Sequence, residues 1–430
     1  MLLTAAFCLW AQLPPVQEIP PRQVFGEART AWREEGGQTW GVSLAGPLLL
    51  VDPKTRQAWA TEPDKDGCLK DSGDGVFAGA YPEGRIVANT TVTWAGKDWV
   101  MLALPLPTDQ RERKVLLLHE SWHRVQRGLN LFMPEAFNAH LDTLEGRYWL
   151  QVEWRALARA LAANGEEERQ VSVSYAVAAR TFRQNLFPNA ADNEKSLLLQ
   201  EGLAEYTGVR AAGAKDTVIK ELRRARPPYS RTFAYLSGPA YGLLLDDVSP
   251  GWPLHVNRGT DISVLLQEAY QIPAPTERDA RRAAERLGGA ELRKREEAEE
   301  KRRQQHIELI KTLFVQGPHL KIPPGFRLQF NPSNTENIEG VGAYHPTATY
   351  MGDWGVLEVT DGSLRAQDWS EARVIAPVTM GGRDHRGSRS SAPRRVTGPG
   401  WSLELAPGWS IVQSGAGVWV LARDMKETDR

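Results

Sequence analysis

The chain has 430 residues, with 52 Lys and Arg against 53 Asp and Glu for a formal charge of −1, and 41% of it is hydrophobic. That length and composition exclude wholesale disorder and favour two or three domains, and the even charge gives no electrostatic ground for a nucleic-acid partner. The 15 Trp residues suit the filling of β-rich cores better than a groove lined with rings.

The first twelve residues are apolar and run straight into Leu13-Pro14-Pro15, the pattern of the apolar part of a secretory signal. Residues 1–16 are therefore assigned to a signal peptide and the mature chain to a secreted or periplasmic setting. Phe7 occupies the place where lipidation of Cys8 would need a small residue, so a lipoprotein is disfavoured. Without that segment Cys68 stands alone and has no internal disulfide partner. No other run approaches the roughly 18 apolar residues of a membrane span, so the mature chain is expected to have no integral span.

Residues 17–107 read as β-rich, with strand patterns at Thr39–Leu44, Pro47–Val51, Gln57–Thr61, Arg85–Trp94 and Asp98–Pro105. Asp64, Asp66, Asp71 and Asp74 among glycines match no calcium-ligand spacing and read as a solvated loop. From 108 to 275 the period becomes helical. Asp109 and Glu112 open a helix like a capping box, Leu141, Leu144, Tyr148 and Val152 mark a second helix ending near Ala163, and further helices are expected over 167–186, 193–212 and 237–247. Residues 276–312 are rich in Glu, Arg and Lys, broken at Gly288-Gly289, and read as a solvated helical connector. Residues 313–430 return to strand patterns, at Arg327–Phe330, Trp354–Thr360, Arg373–Val378, Trp401–Leu405 and Val418–Ala422, and read as a separate C-terminal β domain. Within it, Gly381–Gly400 carries Arg383, Arg386, Arg389, Arg394 and Arg395 and reads as an exposed loop.

The chemistry concentrates in His119-Glu120-Ser121-Trp122-His123. Two imidazoles four residues apart project from one helical face and can share one tetrahedral zinc ion. Glu120 cannot point the same way as both, which suits it to taking a proton from a water rather than to ligation. The apolar Val115–Leu118 gives this helix a buried side. An open catalytic site needs a third protein ligand. Gln126 and Leu129 stand where one zincin group keeps its glycine and third His, so that arrangement is excluded. Gln200-Glu201-Gly202-Leu203-Ala204-Glu205-Tyr206 begins an alternative 78 residues after His123, counted to Glu201, and its two carboxylates are one helical turn apart.

In these motifs the chain resembles the gluzincin metallopeptidases, the group of thermolysin and the aminopeptidase-N-like enzymes, over about residues 100–245. The resemblance implies an α+β, zincin-like, mainly helical catalytic unit behind a small β-sheet, holding one Zn2+ per chain and acting on a peptide or protein. It makes Glu201 the third ligand, Glu205 the acceptor for the other N–H of His119, and Glu120 the general base. Tyr235-Leu236-Ser237-Gly238 is similar to the Tyr-x-x-Gly segment of aminopeptidase-N-like enzymes, which implies that Tyr235 binds the oxyanion. The ligand interval is longer than in either relative, as if a helical hairpin over about 135–187 were inserted. By the same analogy Trp99–Leu104 takes the place of the edge strand that pairs with extended substrate. His140 reads as structural. The alternative reading is a non-catalytic, zinc-stabilised scaffold that presents the C-terminal Trp residues 354, 369, 401, 409 and 419 to a cell-surface or polysaccharide partner.

Overall fold

The computed structural model describes residues 19–377 and 394–424 except 135, 137, 225, 332 and 333. The signal-peptide reading of 1–16, Cys8, and Arg383, Arg386 and Arg389 of the expected loop lie outside the described residues. The chain is a mixture of helices and three sheets, consistent with the α+β class. It divides into two compact units, Met1–Gly128 with Thr207–Gly213, and Leu129–Tyr206 with Ala214–Arg430. Among the described residues no helix is long and apolar enough to cross a membrane.

The first unit opens with a helix where only strands were expected, α1 (Pro21–Glu35). Proline is at home in a first helical turn, and Val24, Phe25, Ala28, Ala31 and Trp32 form its buried face. The strands follow: β1 (Leu48–Val51), β2 (Gln57–Ala60), β3 (Lys70–Asp71), β4 (Phe77–Ala80), β5 (Thr90–Trp94) and β6 (Lys97–Ala103). Thr39–Leu44 forms turns and bends instead of a strand. The sheet order is β3-β4-β2-β1-β6-β5, with β1 and β6 parallel. This corrects the edge-strand expectation: β6, which holds Trp99–Ala103, lies between β1 and β5, and β5 takes the edge. Its position explains its composition, since Trp99, Val100, Met101 and Leu102 are buried on both faces of an interior strand. Asp64 accepts the backbone N–H groups of Asp66, Cys68 and Leu69, so it organises a turn, as the loop reading requires.

Helix α2 (Gln110–Gln126) carries the His-Glu-x-x-His sequence, and Asp109 caps it by accepting the Glu112 N–H. Two contacts dock it on α1. Arg113 makes a two-pronged pair with Glu27, Nε to Oε2 at 2.8 Å and Nη2 to Oε1 at 2.7 Å, and Trp32 Nε1 donates to Ser121 Oγ at 3.0 Å.

The second unit contains the helical hairpin expected between the two motifs, α3 (Leu144–Ala162) and α4 (Glu166–Leu186). Then come α5 (Ala190–Leu197), a π-helical turn over Leu198–Gly202, α6 (Leu203–Ala212), whose end from Thr207 belongs to the first unit, and α7 (Lys215–Arg224). Helices α8 (Phe233–Val248) and α9 (Ile262–Ala269) complete the region. The connector is not simply solvated. Helix α10 (Glu277–Arg286) buries Ala280, Ala283 and Ala284 beside Trp149, Val152 and Ala179, and α11 (Gly289–Ile310) buries Leu292 and Glu296. Glu296 takes a hydrogen bond from Arg147 Nε at 3.0 Å and one from Gln151 Nε2 at 2.7 Å.

The β region has two sheets. One contains β7 (His319–Ile322), β9 (Glu336–Ile338), β10 (Gly342–His345), β13 (Ser363–Arg365), β14 (Ala372–Ile375), β17 (Trp409–Gly415) and β18 (Val418–Arg423). The other contains β8 (Arg327–Phe330), β11 (Ala348–Gly352), β12 (Gly355–Val359), β15 (Arg394–Gly398) and β16 (Trp401–Leu405). Residues 394–398, expected in a loop, are therefore strand. Trp354 and Trp401 are buried between the sheets, Trp409 and Trp419 pack against the same core, and Trp369 is exposed. The filling of β cores accounts for most of these rings.

Candidate metal centre

Helix α2 delivers His119 and His123 one turn apart, as an i, i+4 pair must be. Their Nε2 atoms lie 3.1 Å from each other. His123 Nδ1 is 3.0 Å from the Oε1 of Gln126, a residue that is itself buried. A carboxamide oxygen only accepts, so Nδ1 carries the proton and Nε2 keeps its lone pair. Gln126 is thus a partner of the candidate site that the sequence motif alone does not include; its spacing, three residues beyond His123 on the same face, was the available signal. Glu120 is buried on the same helix. Behind the imidazoles Trp122 is fully buried and packs on Trp40, ring centroids 5.5 Å apart.

Glu201 sits in the π-helical turn, a distortion that recurs at functional sites because it redirects side chains that a regular helix would aim elsewhere. Donors from the segment 231–235 reach its carboxylate. Tyr235 Oη donates to Oε2 at 2.6 Å, and Arg231 Nη2 donates to Oε1 at 2.9 Å. Tyr235 comes from the first turn of α8, which can approach because of two glycines. A Cβ on Gly238 would stand 2.4 Å from the Gly202 Cα, and one on Gly202 would be 3.1 Å from the Gly238 Cα. The glycine of the Glu-Gly-Leu-Ala sequence thus has a packing cause: it lets α8 lie against the turn that carries Glu201.

Within the first unit, the end of α6 is set against α2 by similar means. A Cβ at Gly208 would come 2.4 Å from the Val115 carbonyl oxygen. Trp40 Nε1 donates to Thr207 Oγ1 at 2.9 Å and Arg210 Nη1 to Thr39 Oγ1 at 3.2 Å. One ligand atom from each of His119, His123 and Glu201 lies within 4.8 Å of the others. It is the one such group of potential ligands among the described residues. Two imidazole nitrogens and one carboxylate form a donor set that suits a divalent metal such as zinc and leaves room for a non-protein ligand.

Glu205 lies one turn beyond Glu201 on α6 and is half-buried. His140 belongs elsewhere: its Nε2 is 2.8 Å from Glu194 Oε1, so it is structural. It caps a buried ionic group that the sequence did not disclose. Glu194 also accepts from Arg183 Nε at 3.1 Å and Nη2 at 2.9 Å and from Gln184 Nε2 at 3.0 Å, with Arg180 Nη1 3.3 Å away. Glu153 pairs with Arg183 and accepts from the Tyr241 hydroxyl. All four charged side chains are buried, two cations against two anions. Burial alone would raise the pKa of Glu194, but Arg183 and Arg180 outweigh it and hold the carboxyl well below its ordinary range. Compared with family models, curated proteins and solved structures, the chain matches none of them.

Proposed function

We propose that the protein is a zinc-dependent peptidase of the gluzincin type, secreted or periplasmic, in which His119, His123 and Glu201 hold the metal. The convergence of these three side chains, drawn from sequence segments 78 residues apart, is the observation that carries this reading. A bound zinc ion would supply Lewis acidity toward a carbonyl and toward water. The rest is the work of this chain's own groups. Glu120, buried on α2 between the two imidazoles in sequence, takes a proton from the attacking water. It then returns that proton to the amine nitrogen as the C–N bond breaks, so one carboxylate serves as base and then as acid. A structural metal site has no need of such a group, which favours an enzyme over the scaffold alternative. Tyr235, whose hydroxyl hydrogen-bonds Glu201, is assigned the role of donor to the developing oxyanion. Glu205 is assigned to the outer N–H of His119.

Zinc stoichiometry by mass spectrometry and cleavage of a peptide library test this reading together. Wild type should carry one zinc per chain and cleave. Glu120→Gln should keep the zinc and lose turnover, and Glu201→Ala should lose the zinc. Cleavage by Glu120→Gln at the wild-type rate would overturn the mechanism, and a metal-free wild type after equilibration with zinc would overturn the site.

A further inference from the structure

Glu201 is not a simple carboxylate waiting for a metal. Both of its oxygens are already engaged, by Tyr235 at 2.6 Å and Arg231 at 2.9 Å, and the Glu201 side chain is 8% exposed. The two partners differ in what else they can do. A tyrosine hydroxyl has a single proton and serves one acceptor at a time. If Tyr235 turns that proton toward a substrate, Glu201 loses that support at the moment when its orientation matters. A guanidinium is planar, permanently charged and carries five N–H groups in a fixed fork.

The segment that brings Arg231 to the carboxylate is itself pinned. The backbone N–H groups of Tyr229 and Ser230 donate to Asp142, at 2.5 Å and 3.3 Å, and Thr232 Oγ1 donates to the Pro228 carbonyl at 2.8 Å. Tyr229 is buried edge-on against Trp154, ring centroids 5.0 Å apart. Trp154 in turn donates to Ser237 on α8 at 2.9 Å. Arg231 therefore reaches Glu201 from a rigid base, with 24% of its side chain exposed.

We infer that Arg231 is a positioning residue: it fixes the Glu201 carboxylate in its ligating orientation, so that Tyr235 can leave that carboxylate for substrate without loosening the metal. The inference rests on the proposed assignment of Glu201 as a ligand. Outer partners that orient a metal ligand typically change metal affinity by about 10- to 100-fold when removed. A charge-only view gives the opposite sign, because deleting a nearby cation would tighten the hold on a divalent ion.

The test is cobalt(II) binding to the full chain, followed by d–d absorption, for wild type, R231Q, R231K and Y235F, with far-UV circular dichroism on each. The expected result is a weakening of about tenfold or more in R231Q with an altered d–d band and an unchanged fold, partial recovery in R231K, and less than about threefold weakening in Y235F. Unchanged or tighter cobalt binding in R231Q overturns the inference while leaving the metal site in place. Equal weakening in R231Q and Y235F also overturns it, because the support would then be shared. A wild type that takes up no cobalt overturns the inference and the proposed function together. If R231Q does not fold, R231K decides alone: binding and absorption indistinguishable from wild type would assign only a charge to this position.

Discussion

Replacing Glu194 with leucine should be among the most damaging single changes in the second unit. The carboxylate is fully buried and faces Arg183 through two hydrogen bonds and Arg180 at 3.3 Å, while Glu153 is the other anion in the group. Without it two buried guanidiniums share one carboxylate. Each lost pair is worth about 4 kcal/mol of Coulomb energy at an effective dielectric of 20. The protein no longer has to bury the anion, which offsets part of this. Breaking buried pairs elsewhere costs about 3–5 kcal/mol, so the midpoint of thermal unfolding should fall by roughly 6–20 °C. The double variant R183M/E194L should recover part of that loss, because it removes one charge of each sign and leaves Arg180 facing Glu153. Urea and thermal unfolding followed by circular dichroism measure both. The pH dependence adds a further check. The native pKa of Glu194 is depressed, so its contribution is complete above the unfolded value of about 4.3 and is lost as pH falls below that toward the native value. Wild type should therefore lose stability below about pH 4.5 more steeply than the double variant. A loss under about 1 kcal/mol in E194L, or a double variant less stable than the single one, would refute the charge-balance argument.

Other changes test other parts of the structure. Gly238→Ala places a methyl group 2.4 Å from the Gly202 Cα; it should cost about 1–3 kcal/mol and weaken zinc binding by moving α8 off the Glu201 turn, as read by unfolding and by chelator competition. Gln126→Leu removes the acceptor that fixes the His123 tautomer and should weaken zinc affinity by about tenfold or more with the fold intact. His345 is fully buried beside Thr335, and burial, with help from Arg365, pushes its pKa down to about 4. An imidazole whose native pKa lies below the unfolded value of about 6.5 destabilises the fold as pH falls from 6.5 toward 4, by about 3 kcal/mol at most. H345Q should flatten that stretch of the stability profile.

What could be read beforehand follows from where the forces are local. The i, i+4 spacing of His119 and His123, the Asp109 cap and the α3/α4 hairpin are set within a few turns of chain, and each stands in the structure near its expected bounds. Gly202 and Gly238 were visible as letters, but their reason is a backbone contact between distant segments. Arg231 had no local signal, because its contact with Glu201 exists only once α8 has packed. Glu153, Arg180, Arg183 and Glu194 look like solvated charges in sequence, since nothing local tells a charge that its partners will follow it inside. Helix α1 lies in a stretch that reads as β-rich from the strand patterns after it, although Phe25, Ala28 and Trp32 recur at helical spacing. The placement of β6 inside the sheet depended on β5 taking the edge, which no single strand can declare.

The π-helical turn at Leu198–Gly202 also bears on how this chain tolerates changes in length. Such a turn covers its stretch of helix axis with one residue more than an α turn would use. Deleting one residue there leaves a regular helix, so Glu194 stays among its arginines. The same deletion between Leu203 and Ala212 would swing everything beyond it by about 100°. The slack in the rod thus lies at Glu201, the proposed ligand. Loss of a single residue at this point would re-aim one carboxylate and leave the arginine cluster around Glu194 as it was.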